Sequence, residues 1–264
     1  MNYRSLALSA LLLINTFDAP AATNGVPALS ITAPNGQESI LIGSVHVGIT
    51  GLRNPDRSIF KDAKRFVIEH YGFSTPGDNG DTTSQTRASW TQNLTDDEVN
   101  TYLKRAQCAG LKIEYAQKIL NRSSSQVANQ LAYTICDSHI SLSRDSWIDS
   151  IRPTWLQVDV LEDDAWVESQ RLRVGDDDNG KSLKWILARD PKVVMSEIRD
   201  DLNIGNYESI LEKSVAPIGD SIAIRKFKSI MITGRNNAWM PKLKQYLDDG
   251  HAVILVGAAH LPSL

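Results

Sequence analysis

Two apolar runs constrain what this chain can fold into. Residues 39–46 read Ser-Ile-Leu-Ile-Gly-Ser-Val-His, and residues 252–260 read Ala-Val-Ile-Leu-Val-Gly-Ala-Ala-His. Each is short, uninterrupted and rich in β-branched residues, reaches a glycine, and places a histidine three residues later. Runs without polar alternation read as strands covered on both faces. The expected fold is therefore α/β: a mainly parallel or mixed central sheet flanked by helices. Ligands of such sheets gather at the carboxyl ends of the strands. His46 and His260 are expected at that edge, with Gly43 and Gly257 leaving room for a backbone or ligand to approach.

The segment after His46 carries Pro55 and Asp56 as first-turn residues, with Ile59, Phe60, Ala63 and Phe66 on one helical face. The stretch Phe-Val-Ile-Glu then reads as a strand ending at Glu69, which makes a βαβ unit and brings Glu69 to the edge of His46. Strand alternation turns His70 to the opposite side. Further along, Ile230–Ile232 reads as a short strand, Gly234 as a turn, and Arg235 and Asn236 as the entry to a helix. That helix is expected to bury Met240, Leu243 and Leu247, with Pro241 in its first turn and Gly250 at its end. An arginine at such a turn can hold a carboxylate or an oxyanion. His139 and His251 have no partner at metal spacing.

The first residues have the form of a targeting segment: a short positive start, an uncharged apolar core, and Ala19 and Ala21 at signal-peptidase spacing. Residues 1–22 are read as a signal peptide and residues 23–264 as the mature domain. An exported chain gives Cys108 and Cys136 two readings, a disulfide between helical stretches or a pair of buried thiols. Thr95 and Glu98 form a capping-box pattern. Residues 93–150 are read as a helical subdomain inserted between sheet halves, preceded by the loop Thr-Pro-Gly-Asp-Asn-Gly-Asp-Thr-Thr-Ser-Gln.

Charge excludes some functions. Of 264 residues 22% are charged, with a net charge of -3 and no Lys/Arg run, which argues against a nucleic-acid partner. Residues 175–182, Gly-Asp-Asp-Asp-Asn-Gly-Lys-Ser, satisfy the spacing of a phosphate-binding loop. Three aspartates there repel phosphate and the preceding stretch reads as helix, so a solvated acidic turn is expected and no nucleotide.

The two glycine-x-x-histidine strands, the strand ending in Glu69, the Arg235-Asn236 pair and the stretch Trp-Leu-Gln-Val-Asp-Val-Leu-Glu together resemble the TraB/PrgY/GumN family. That family is related to the Tiki metalloproteases and, more remotely, to erythromycin-esterase and ChaN-like folds. The resemblance implies a divalent metal (Mn, Co, Zn or Fe) at the sheet edge, with His46 and His260 as ligands and Glu69 as third ligand or general base. It makes Arg235 the group that stabilises developing charge, with Gly43, Gly257 and Asn236 in support. It implies a metal-dependent, peptidase-like hydrolase acting on a peptide or small-molecule substrate, and the targeting segment places that action outside the cytoplasm, periplasmic or secreted, with no stable membrane span expected after signal cleavage. A non-catalytic binding or signalling protein on the same scaffold is the alternative. The family pattern continues past the second histidine with another helix and strand, whereas this chain stops at Leu264: either it is a fragment, or the last strand is missing and His260 is expected in frayed chain.

Overall fold

The computed structural model describes residues 25–70, 88–121, 125–136 and 142–264. The signal-peptide reading, the loop preceding the helical stretch and His139 lie outside the described residues.

Five strands form one mixed sheet: β1 (Ala28–Thr32), β2 (Glu38–Ser44), β3 (Arg65–Ile68), β4 (Gln157–Val160) and β5 (Ala252–Gly257), in the order β1-β2-β5-β3-β4. β1 and β2 are an antiparallel hairpin turning at Gly36, while β2, β5, β3 and β4 run parallel. The most apolar run, β5, takes the centre, between β2 and β3 and buried on both faces. Its alternation divides the core. Val253 and Leu255 join Ile42, Phe66, Ile59, Phe60 and Ile148 on one face. Ile254 and Val256 join Leu41, Val67, Trp239 and Leu243 on the other.

Among the described residues, ten α-helices surround the sheet: α1 (Asp96–Cys108), α2 (Ile113–Ile119), α3 (Gln126–Ala132), α4 (Arg144–Ile151), α5 (Asp164–Val174), α6 (Asp176–Leu187), α7 (Pro191–Ile204), α8 (Tyr207–Val215), α9 (Ser221–Phe227) and α10 (Arg235–Asp249). α1 opens on the expected capping box between Thr95 and Glu98. Its apolar face, Val99, Tyr102 and Ala106, packs with α2, α3 and Leu183 and Ile186 of α6 in a core of its own. A disulfide joins Cys108, at the end of α1, to Cys136 beyond α3. No described helix is long and apolar enough to cross a membrane.

Four expectations are corrected. Between β2 and β3 there is no α-helix, only a 3-10 turn over Arg57–Phe60, and β5 lies between the two strands. Ile59, Phe60 and Ala63 are buried as expected, but Phe66 belongs to β3, so too few residues remain for a helix. Ile230–Ile232 is not a strand: Lys228–Gly234 is wound as a π-helix that joins α9 to α10. A short apolar run cannot be assigned from periodicity alone. Gly234 serves that winding, since a Cβ there would stand 2.8 Å from the Ser229 carbonyl oxygen. Within α10, Pro241 lies in the interior and Met240 is exposed, while Trp239 and Leu243 form the buried face. The acidic stretch after Gly175 is the start of α6 rather than a turn. Gly180 is needed there because a Cβ would fall 2.4 Å from the Trp90 carbonyl oxygen.

Candidate functional site

The carboxyl ends of β2, β3, β4 and β5 meet at one edge. Ser44 lies opposite Gly257, and Ile68 lies opposite both Leu255 and Val160. Glu69 and Glu162 therefore leave the sheet side by side. The Leu161 and Glu162 amides donate to the Glu69 carbonyl at 3.0 and 2.9 Å, which ties the two exits together. Asp163 then caps α5 by accepting from the Ala165 and Trp166 amides, which fixes the chain on the far side of Glu162.

Arg235 enters from the end of the π-helix. Its Nη2 donates to Glu69 Oε2 at 2.6 Å, and Nε donates to Glu162 at 3.1 Å while Nη2 also bonds Glu162. Its Nη1 lies 3.1 Å from His260 Nε2. Arginine can only donate, so His260 Nε2 accepts and Nδ1 carries the proton. That proton goes to Asn236 Oδ1 at 2.6 Å, and Asn236 Nδ2 donates to the His260 carbonyl at 3.1 Å. Trp239 Nε1 donates to Glu162 Oε2 at 2.8 Å, and its ring stacks at a tilt on His260. Glu69, Glu162, Arg235 and His260 are 7%, 6%, 6% and 4% exposed. His260 is therefore held at three atoms inside the protein, not in frayed chain.

Burial opposes charge throughout the cluster, and partners decide the outcome. Desolvation pushes the Glu69 carboxyl up, but Arg235, the two histidines and the Gly257 amide bring it well below the usual range. Burial raises Glu162 despite its bonds to Arg235. Burial lowers His260 to about 4, helped by Arg235, so its imidazole is neutral.

The glycines of the two motifs do different work. A Cβ on Gly43 would stand 2.7 Å from the Tyr207 ring and 2.9 Å from Leu261, so Gly43 permits packing. A Cβ on Gly257 would stand 3.0 Å from Glu69 Oε1, which accepts from the Gly257 amide, so Gly257 admits a site carboxylate. The motifs are also offset: Gly43 pairs with Val256, not with Gly257. His260 sits in a 3-10 turn, whereas His46 follows the end of β2.

His46 has a partner the residue pattern does not show. Its Nδ1 lies 3.4 Å from Asp145 Oδ1, in the first turn of α4, and Ser44 Oγ donates to Asp145 Oδ2 at 2.5 Å. The neighbouring Arg144 donates to the Gly43 carbonyl at 2.7 Å, which docks α4 on the end of β2. Burial would lower the His46 pKa, but the Asp145 carboxylate, its hydrogen bond and Glu69 raise it to about 9. His46 keeps 31% of its side chain exposed and lines, with Glu69, Arg235 and His260, one cavity of about 300 Å³.

Among the described residues, one group of three brings metal-ligating atoms within 4.8 Å of one another: Glu69, His70 and Glu162. This corrects the expectation for His70. The strand ends at Ile68, so alternation no longer applies, and His70 is buried beside the cluster. Its Nδ1 is 2.9 Å from Asp164 Oδ1, a contact that orients an imidazole for binding through its other nitrogen. Two carboxylates with an imidazole are a donor set that fits a divalent metal.

Residues 182–263 match the TraB/PrgY/gumN family. The matched part holds Arg235, Asn236, Gly257 and His260, so half of the buried cluster comes from the family segment. Glu69, Glu162, His46 and Asp145 are supplied by the chain before it. No curated protein and no solved structure matches the chain.

Proposed function

We propose that this chain is a TraB/PrgY/gumN member and a hydrolase of amide-type bonds, with a divalent metal held by Glu69, His70 and Glu162. The observation that carries the reading is the convergence of two buried carboxylates, Arg235 and neutral His260 at the strand edge of a cavity that also receives His46. A divalent metal there supplies Lewis acidity. Arg235 faces the oxygen on which negative charge develops. His46, protonated at neutral pH and oriented by Asp145, gives a proton from Nε2 to the leaving nitrogen. His260 holds Arg235 by accepting at Nε2. Action outside the cytoplasm is part of the proposal and is supported by the Cys108–Cys136 disulfide.

The test is Glu69→Gln, measured for metal content, melting temperature and peptide hydrolysis. Loss of hydrolysis by about 10²–10⁴-fold with metal retained assigns Glu69 a proton-transfer role. Loss of metal together with activity makes it a ligand. Full activity with metal bound removes it from the site. The donor set combining Glu69 with His46 and His260 shares this carboxylate, and metal content of His70→Ala against His46→Ala and His260→Ala separates the two sets. A second reading, a binding protein without turnover, is favoured by one fact: Glu69, Glu162, Arg235 and His260 satisfy one another within the cluster. Tight metal binding with no hydrolysis across a peptide library would select it.

A further inference from the structure

The cavity that receives His46, Glu69 and Arg235 extends far beyond them. α6, α7, α8, α9 and the π-helix wall it with apolar side chains, among them Ile186, Met195, Ile198, Ile210, Phe227 and Met231. Its volume, about 300 Å³, is at the lower end of ligand-cavity sizes. It is about twice that of a cavity able to hold benzene, which allows roughly a dozen carbon atoms. A site for a small polar substrate has no use for such a wall.

Resting on the hydrolase reading for its chemistry, we infer that the site selects amides bearing a large apolar group, which fills the helical cavity. The apolar group belongs either to a side chain of a peptide or to a medium-length acyl chain. Both present the same surface to the wall.

Calorimetry on the mature protein tests this with three small amides: N-acetylglycinamide, N-acetylphenylalaninamide and N-octanoylglycinamide. The expected result is binding at least tenfold tighter for one or both apolar amides than for N-acetylglycinamide. The preferred arm tells peptide from acyl source. Ile198→Trp, which fills the cavity from a partly exposed wall position, abolishes that preference. Should Ile198→Trp fail to fold, Ile198→Asn puts a polar group on the same wall and must reduce the preference likewise. Equal binding of all three amides, or a preference unchanged in a folded Ile198 variant, overturns the inference. Apolar preference without turnover of octanoyl-p-nitroanilide supports the apolar site and removes the hydrolase reading. Turnover of acetyl and octanoyl anilides at equal rates keeps the hydrolase reading and overturns this one.

Discussion

Arg235 and Glu162 meet inside the protein along one edge of the guanidinium, Nε and Nη2 together facing the carboxylate, while the remaining Nη1 turns to His260. One planar cation thus anchors the exits of β3 and β4 and the last turn of the described chain.

Arg235→Met removes that cation and leaves Glu69 and Glu162 unpaired. Breaking a buried pair from one side costs about 3–5 kcal/mol. Urea denaturation should show a loss of this size. Arg235→Lys should recover only part of it, because an ammonium cannot span both carboxylates in the same fork. A lysine variant as stable as the parent would show that the fork geometry is unimportant.

Asp145→Asn should unmask the histidine beside it. In the folded protein the His46 pKa is raised from 6.5 to about 9, so the pair contributes stability that is fully present below about 6.5 and lost as pH rises through about 9. Melting temperature against pH should decline over that window in the parent and flatten in Asp145→Asn. An NMR titration of His46 should show its pKa falling in the variant. An unchanged midpoint would mean that Asp145 does not hold the charge.

Gly43→Ala should destabilise the fold by about 1–3 kcal/mol, the range for overpacking. The added methyl would meet the Tyr207 ring at 2.7 Å and Leu261 at 2.9 Å, and the ring is tied through its hydroxyl to the Pro27 carbonyl. Denaturant midpoints measure it, and a neutral result would show that Tyr207 yields freely.

Removing the disulfide with Cys108→Ser and Cys136→Ser together should cost about 3–4 kcal/mol for a loop closed over 28 residues. The loss should match that of the parent under a reducing agent. Agreement between the two measurements separates the crosslink from the serine substitutions themselves.

The strands that flank the site were legible because their side chains are buried on both faces. β2, β3 and β5 follow from apolar runs alone, and Glu69 from its place at the end of one. Arg235 and Asn236 were found beside His260, but through the wrong local structure, since three apolar residues do not distinguish a strand from a turn of π-helix. Glu162 closes the stretch Trp-Leu-Gln-Val-Asp-Val-Leu-Glu just past β4, yet nothing local marked it as a partner of Arg235, 73 residues away. Asp145 was invisible for the same reason: it joins His46 only because α4 docks on β2 through Arg144 and Gly43. His70 was misjudged because alternation holds within a strand and stops where the strand stops. Such pairings depend on long-range contacts, which local patterns do not encode.

The π-helix between α9 and α10 has an evolutionary consequence. A π turn amounts to one residue more than an α-helix requires, and it persists mostly where function holds it. Loss of a single codon from 229–233 would let the rod from Ser221 to Asp249 relax to plain α-helix. Because the π turn absorbs that residue locally, the helix beyond the deletion would keep its facing relative to Phe227 and the cavity wall. Arg235, Asn236 and Trp239 would stay with their partners, and the change would fall on the turn itself, where Met231 lines the cavity. Lineages that shed this one residue should therefore be found with Glu69 and Glu162 retained and the cavity wall altered.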